Sequence, residues 1–194
     1  MKFTKIPVDT FQKLQINAGI ITTDFTPATG TIGEAGQVGA TTGGVSFTAT
    51  PTYTDFGEGI DNCPKNMKEL KRLESWEAKM SGTFINADTK IAKSLLGAAD
   101  VGTSDGKITP RNELADSDFD DIWLVGDYSD KNGEKNGGFI AIHMMNALST
   151  GGFQLKTGDK AKGQFAFEYM AHYSMAEQNK VPFEIYIKPG TAED

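Results

Sequence analysis

Four segments of the chain alternate apolar and polar residues with a period of two, and this alternation restricts the fold more than any other feature. They span residues 45–54, 75–84, 164–174 and 181–187. Successive side chains of a β-strand point to opposite faces, so each segment predicts a strand with one buried face. The residues expected to point inward in the last two segments are Phe165, Phe167, Tyr169, Ala171, Tyr173, Val181, Phe183, Ile185 and Ile187.

Other segments predict further strands with less regular patterns. Residues 11–25 are typical of two short strands hinged near Gly19. Residues 121–128 and 139–148 flank two Asn-Gly steps, which favour hairpin turns, so we expect these two strands to pair antiparallel.

One α-helix is predicted at about residues 87–97. Asp88 can cap its start, Gly97 lies near its end, and Ile91 and Leu95 share one apolar stripe. A short helical turn is predicted after Pro64. Because strands outnumber helices and connect mostly by turns, the chain is expected to be mainly β. The predicted fold is an antiparallel β-sandwich or barrel of about seven or eight strands with one flanking α-helix, forming a single domain over residues 1–194.

Residues 26–44 form a glycine-rich segment with glycines spaced by three. A collagen helix needs proline in such triplets, and a phosphate-binding loop needs a following Lys-Ser/Thr and a helix, none of which is present. We expect a long, mobile loop, because unstructured segments of this length are usually functional or ordered on binding. Its candidate contact residues are Thr29, Ile32, Glu34, Gln37, Val38 and Thr41.

The charge and the single cysteine exclude several classes of protein. With 26 acidic and 19 basic residues, the chain has a net charge of −7 and lacks the basic surplus that holds DNA through its phosphates. One cysteine, Cys63, and a start without the apolar core of a signal peptide lead us to expect a reducing cytosol. No stretch is long and apolar enough to be a membrane-spanning segment.

Two motifs resemble sites that the surrounding sequence does not support. Asp55-Phe56-Gly57 matches the magnesium-binding tripeptide of protein kinases, but the phosphate loop, β3 lysine and catalytic loop are missing, so we interpret it as a turn after a strand. Residues 116–127 nearly match a calcium loop, but Asp121 occupies the position that requires glycine. An acidic loop leading into a strand is the better interpretation.

The remaining candidates for chemistry are isolated. His143 and His172 each lie within a predicted strand, without a second ligand at metal-binding spacing on the same face. Cys63 has no neighbour in sequence that would activate its thiol. No catalytic, zinc or nucleotide-binding motif occurs, so we expect no enzyme activity, no cofactor and no metal, and interpret the chain as a structural or binding protein.

Three stretches, in this order, resemble tailed-phage major tail (tail tube) proteins: "LQINAGIITTDF", "YTDFGEGIDNCPKNMKELKRLESWEAKMSGTF" and "AKSLLGAADV". The similarity covers roughly residues 11–188, and the block at 53–84 contributes most to it. The resemblance implies a β-sandwich subunit whose copies form hexameric rings that stack into a tube in the virion tail, assembled in the cytoplasm of a bacterial host. It also implies a tape-measure protein in the lumen, initiator and terminator proteins at the ends, and duplex DNA that passes through without specific binding.

Several residues are candidates for contacts between subunits. The densest basic patch of the chain comprises Lys65, Lys68, Lys71 and Arg72, which form either a solvated face or a salt-bridging contact. Phe3 and Ile6 belong to an N-terminal arm at about residues 1–9, and a second arm is expected at about 188–194; both are predicted to be flexible.

Two alternatives remain open from the sequence. One is the tube of a contractile injection machine, such as type VI secretion or a phage-like bacteriocin. The other is a monomeric, carbohydrate-binding β-sandwich, against which Trp76 and Trp123 fall on predicted core positions.

Overall fold

The computed structural model describes residues 6–7, 9–10, 13–33, 36–128 and 137–190, and confirms a mainly β fold with one α-helix. The helix, α1, spans Thr89–Leu96. The strands are β1 (Gln15–Thr22), β2 (Phe25–Thr26), β3 (Thr31–Ile32), β4 (Gln37–Gly39), β5 (Thr41–Asp55), β6 (Lys71–Phe84), β7 (Ala99–Val101), β8 (Ile108–Pro110), β9 (Asp120–Tyr128), β10 (Gly138–Ser149), β11 (Gln154–Lys156), β12 (Gln164–Met170) and β13 (Phe183–Lys188).

Nine of these strands form one antiparallel sheet that folds over on itself into two layers. The first layer has the order β4-β1-β9-β10-β13, and the second has the order β5-β6-β12-β11. Strand β10 belongs to both layers, because its end, Leu148 and Ser149, pairs with β12. A strand that changes layers after an irregularity is a common way to close such a sandwich.

The main core lies between the two layers and under α1. It contains Ile21 of β1, Met80 and Phe84 of β6, Met144 of β10 and Tyr169 of β12, all nearly inaccessible to solvent. The helix adds Ile91 and Leu95, the two residues that the sequence placed on one stripe. Asp88 caps the helix by accepting a hydrogen bond from the Ile91 N–H at 2.7 Å, and Gly97 ends it.

A second apolar cluster covers the opposite face of the first layer and corrects the expectation of a long loop at 26–44. Strands β2 and β3 form a small hairpin, and its Phe25 and Ile32 pack on Trp123, Val125 and Ala141. Strand β4 pairs with β1, and residues 41–44 already belong to β5. The segment is therefore structured where it buries apolar side chains, and the spacing of its glycines could not indicate this.

The glycines of this segment serve close packing more than mobility. Gly30 has φ +72°, a turn conformation that glycine adopts readily and that residues with a side chain avoid. A Cβ at Gly33 or at Gly36 would clash with the side chain of Asp24, and a Cβ at Gly39 would lie 3.0 Å from Ile91. Their spacing of three thus reflects three tight contacts.

Strand β13 is confirmed, but the prediction that Ile185 and Ile187 are buried is wrong. Their side chains are 51% and 56% exposed. Both point to the same face as Ile142 and Ile140 of β10, their antiparallel neighbours. Phe183 of the same face packs against Phe47 and Trp76, but the second layer does not extend over the two isoleucines.

Strand β12 is shorter than the alternation at 164–174 predicts. It ends at Met170, the last residue that pairs with β6. Tyr173, which the alternation predicts to point inward, is 41% exposed, and its hydroxyl accepts a hydrogen bond from the backbone N–H of Trp76 at 3.0 Å. The alternation in sequence therefore continues beyond the end of the strand pairing.

Other predictions differ from the structure in detail. The helical turn after Pro64 is a single 3-10 turn at Lys68–Leu70, because Lys71 and Arg72 already belong to β6. The hinge near Gly19 is confirmed as an irregularity within β1, where Gly19 has φ +78°. Phe3 and Glu34, and most of the two predicted arms, lie outside the described residues.

Candidate interaction surfaces

The hairpin of β5 and β6 ends in an exposed arm, which we define as residues 52–75. On both strands of the arm, residues 52–54 and 71–75 are exposed on both faces. Five large apolar side chains are exposed along it: Tyr53, Phe56, Ile60, Met67 and Leu73. A monomeric protein rarely exposes so many large apolar residues on one projecting element, so the arm is a candidate contact surface.

The four basic residues singled out in the sequence all lie on this arm. Lys65, Lys68, Lys71 and Arg72 are exposed. Lys71 Nζ lies 4.9 Å from the centre of the Tyr53 ring, and Lys68 Nζ lies 3.5 Å from a carboxylate oxygen of Glu69. Exposed pairs of this kind contribute little to stability, so the patch remains available to a partner.

Asp55 organises the tip of the arm, which confirms the interpretation of Asp55-Phe56-Gly57 as a turn. Its two carboxylate oxygens accept hydrogen bonds from the N–H groups of Gly57 and Asn66, each at 2.9 Å. The Asn66 and Gly57 N–H groups hold the pKa of Asp55 below its usual value, with smaller contributions from Lys71 and Lys65. The carboxylate is therefore used by the turn itself.

The longest free edges of the nine-stranded sheet are those of β5 and β13, since the other two edge strands, β4 and β11, have three residues each. Among the described residues, β13 pairs only with β10, and β5 pairs only with β6 along its fifteen residues. An unpaired edge presents a row of backbone N–H and C=O groups that another chain can pair with. The edge of β13 carries the exposed side chains of Ile185 and Ile187. Strand β5 contains Pro51, and an edge strand tolerates proline because it needs no N–H donor on its unpaired side.

The candidate residues of the glycine-rich segment divide into two groups. Ile32 packs on the Trp123 cluster and Val38 on the main core, so both anchor the segment. Thr29 and Gln37 are exposed, and Thr41 is half-buried at the start of β5. The hydroxyls of Thr29 and Thr31 form a hydrogen bond of 2.7 Å across the turn.

The acidic run at 116–127 has a structural partner that the sequence did not reveal. Asp118 is buried, and both its oxygens accept hydrogen bonds from Arg111 Nη2 at 2.6 and 2.7 Å. The N–H of Ala115 donates to the same carboxylate at 2.8 Å. Strand β9 begins at Asp120, as expected for an acidic loop leading into a strand.

Sequence reasoning also missed the surroundings of the two histidines. His143 lies beside Asp121 of β9 and Glu184 of β13, which are brought together only by strand pairing. His172 contacts the backbone of Asn146. Strand register is the signal that could have found these contacts, since His143 is opposite Trp123 on β9 and Glu184 on β13.

The part of the chain that the structure describes contains no group of three or more His, Cys, Asp or Glu side chains placed to hold a metal ion. It also contains no helix long and apolar enough to cross a membrane. Trp123 is buried and stacks on His143, while Trp76 is half-buried against Phe183, so neither indole forms an open platform for a sugar ring.

Comparisons with known proteins give little similarity. No family model matches the chain, and no curated protein matches it. Among solved structures, a chain from the virion of a native gene transfer agent (GTA) particle is similar, with a TM-score of 0.41 and 8% sequence identity. The similarity covers 81% of this chain and 92% of that chain.

Proposed function

We propose that this chain is a structural subunit that assembles with copies of itself into hexameric rings, and that the rings stack into the tail tube of a phage-like virion. In this role it is not an enzyme and needs no cofactor. Its partners are a tape-measure protein in the lumen, initiator and terminator proteins at the ends of the tube, and duplex DNA that passes through. Assembly takes place in the cytoplasm of the bacterial host.

The observation that carries this proposal is the free edge of β13. A single β-sandwich that acts alone usually protects its edge strands with charges, bulges or covering loops. Here the edge lies next to Ile185 and Ile187, whose side chains are more than half exposed. A strand from a second copy could satisfy the backbone groups of β13 and cover both isoleucines at once.

The arm and the free edge of β5 support a second type of contact. Subunits that join into rings and then stack need one interface within the ring and another between rings, and these interfaces must lie on different surfaces. The arm exposes apolar side chains and four basic residues on the same hairpin as the β5 edge, while the chain as a whole is acidic. The basic patch on the arm can meet acidic residues of another copy, which gives complementary charges between copies.

Electron microscopy of the concentrated protein, together with sedimentation analysis over a range of concentrations, tests the proposal. We expect rings of six subunits and tubes built from them. The variant Ile185→Lys/Ile187→Lys places two charges beside the β13 edge and should remain a folded monomer, because edge lysines prevent pairing between chains.

A matched control is Leu114→Lys, because Leu114 is 57% exposed and lies outside every strand. This variant should assemble as the unmodified chain does. A chain that stays monomeric at every concentration would contradict the proposal, as would a double-lysine variant that still forms rings. Rings with another number of subunits would contradict the hexamer.

A further inference from the structure

The two histidines of this chain meet at one irregularity in β10, where the strand passes from the first layer to the second. Met145 and Asn146 together oppose the single residue Asp121 of β9. Asn146 has φ +48°, a conformation that asparagine tolerates better than most residues. This bulge is therefore the joint between the two layers of the sandwich.

His143 holds one side of the joint. Its Nε2–H donates to Asp121 Oδ2 at 3.1 Å, and the other oxygen of Asp121 accepts the N–H of Asn146 at 3.0 Å. The imidazole lies flat on Trp123, with ring centres 3.9 Å apart and planes within 3°. Its side chain is 13% exposed, so the ring is largely shielded from water.

His172 holds the other side. Its Nδ1–H donates to the carbonyl of Asn146 at 3.1 Å, and the Asn146 side-chain amide donates to the carbonyl of His172 at 3.2 Å. The His172 N–H donates to the carbonyl of Met145 at 3.3 Å. Phe119 meets the His172 ring edge-on, and Asp116 lines the same surface concavity.

The two imidazoles differ in the groups that lie beside their Nδ1 atoms. Nδ1 of His143 lies 4.0 Å from Glu184 Oε2 on β13. A neutral imidazole that donates through Nε2 has a lone pair at Nδ1, facing this carboxylate, whereas a protonated ring has an N–H there. Nδ1 of His172 already donates, and Asp116 is the one charged residue, among those that the structure describes, that lines the concavity beside it.

Other charged groups around His143 have partners of their own. Tyr186 donates a hydrogen bond to Glu184 Oε2, the same oxygen that faces Nδ1 of His143. Lys180, in the segment before β13, pairs with Glu177 at 3.1 Å. The pKa of Lys180 is raised mainly by Glu177, with smaller contributions from Glu184 and Asp121, so this lysine competes with a protonated His143 for the same two carboxylates.

We propose that His143 is a pH-sensitive clamp that fastens β13 to β10 more firmly in mildly acidic solution. Imidazole is the side chain that gains its charge between pH 8 and pH 5, and a charge here lies between two carboxylates on a tryptophan face. Glu184 belongs to β13, whose free edge we propose as the assembly surface. This part of the inference rests on the proposed function: assembly through that edge becomes more favourable as the pH falls from 8 to 6.

Unfolding in urea at pH 8 and pH 6 tests the clamp directly in the full chain. His143→Gln keeps an amide donor for Asp121 but cannot gain a charge. We measure the ratio of the unfolding equilibrium constant of the unmodified chain to that of His143→Gln. This ratio should fall about threefold from pH 8 to pH 6, the size expected of one partly exposed ion pair. Equal pH dependence in the two proteins would overturn the inference.

A matched control is His172→Asn, whose side-chain amide can replace the Nδ1–H donor of His172 at the same joint. This variant should keep the pH dependence of the unmodified chain. If His172→Asn abolished it and His143→Gln did not, the clamp would be assigned to the wrong histidine and the inference would fail.

Sedimentation of assembled protein at the two pH values tests the link to assembly. The concentration needed for assembly should fall from pH 8 to pH 6 in the unmodified chain and change less in His143→Gln. Equal changes in both proteins would refute the link to the β13 edge while leaving tube assembly intact. A complete lack of assembly would refute the proposed function, and the urea measurement would still decide the clamp.

Discussion

At the scale of single residues, one buried charge holds the segment between α1 and β9. Arg111 donates two hydrogen bonds to Asp118, and its Nε lies 3.1 Å from Asp100, close enough for an ion pair but without the alignment of a hydrogen bond. The backbone N–H of Ala115 donates to Asp118 as well. These contacts replace water around a carboxylate whose side chain is fully enclosed.

The first prediction concerns Asp118. The Ala115 N–H, and then Arg111, hold the pKa of this carboxyl below its usual value. Because the pKa of Asp118 is lower in the folded chain than in the unfolded chain, its carboxylate stabilises the fold fully above about pH 4. This stabilisation is lost as the pH falls through the pKa of the folded chain. Asp118→Asn should cost about 3 kcal/mol at pH 7, because it removes the charged carboxylate that accepts both hydrogen bonds from Arg111. Urea unfolding at pH 7, 4 and 3 should show the difference shrinking with acid.

Asp116→Asn is the control for this experiment, since Asp116 is exposed in the same turn. It should change the free energy of unfolding by less than about 0.5 kcal/mol. An equal effect of the two substitutions would show that the Arg111 pair does not stabilise the fold.

The second prediction concerns Tyr169 in the main core. Burial raises its pKa to about 12, although its hydroxyl shares a 2.9 Å hydrogen bond with Ser94. In the unfolded chain the pKa of a tyrosine is near 10. The neutral Tyr169 side chain therefore costs the fold no stability below pH 10, and the free energy of unfolding decreases as the pH rises from 10 toward 12. Tyr169→Phe should cost about 1 kcal/mol at pH 7 through the lost hydrogen bond, but should be the more stable of the two chains above about pH 11. Circular dichroism across an alkaline titration measures both, and identical alkaline curves would refute the assignment.

At the scale of elements, the β2–β3 hairpin is held by a few aromatic contacts. The Phe25 ring lies 5.3 Å from that of Trp123 and 5.1 Å from that of Phe139. These contacts explain why a glycine-rich segment adopts short strands. They also predict that replacing residues 28–42 with a flexible linker would destabilise the fold, since that change would remove Ile32 from the cluster and β4 from its pairing with β1.

Phe25→Ala should therefore cost about 3 kcal/mol and release the hairpin. In this variant, backbone amides of residues 25–39 should exchange faster than they do in the unmodified chain, while those of β12 should exchange at an unchanged rate. Thr29→Ala, at the exposed turn of the same hairpin, is the control and should leave both measurements nearly unchanged. Unchanged protection in Phe25→Ala would mean that the hairpin is held by other contacts.

The arm allows a second test at this scale. Asp55 and Lys71 are directly opposite each other, so residues 56–70 can be replaced by the two-residue turn Asn-Gly without changing the strand register. The shortened chain should unfold at nearly the same denaturant concentration, because the removed residues are mostly exposed. It should form rings but not long tubes if the arm connects rings.

Microscopy of the shortened chain distinguishes these outcomes. Long tubes would show that the arm is not needed for stacking. A variant with Lys65→Ala and Lys68→Ala separates the basic patch from the apolar residues, since it removes two charges and leaves Phe56 and Ile60 in place.

At the scale of the whole molecule, the net charge determines how a tube could treat DNA. Each chain carries −7, so the proposed hexamer carries 6 × −7 = −42 in total. A basic channel wall would bind the many phosphates of a duplex and oppose its release. A neutral or acidic wall repels DNA only mildly, since salt screens charges over about 10 Å at 0.1 M.

We therefore expect the basic patch of the arm to point away from the channel, and we expect assembled tubes not to retain duplex DNA at physiological salt. Co-sedimentation of tubes with duplex DNA at low and physiological salt measures this. Tight retention at physiological salt would contradict the expectation, as would an assembled structure with Lys65, Lys68, Lys71 and Arg72 lining the channel.

The sequence alone determined the elements whose signals are local. Alternation predicted β12 and its buried Phe167 and Tyr169, and a capping aspartate with a closing glycine predicted α1. These predictions succeed because strand alternation and helix capping depend on residues a few positions apart. The class of fold followed from the same local signals, since few helices were available to connect the strands.

Only the tertiary structure decided which faces are covered and which residues meet. Alternation placed Ile185 and Ile187 on one face, but whether that face is buried depends on how far the second layer extends, and it ends short of them. Likewise, the carboxylates beside His143 come from two other strands, and their positions depend on the register of both pairings. Burial and register are properties of surfaces that meet across the fold, so no pattern within one segment contains them.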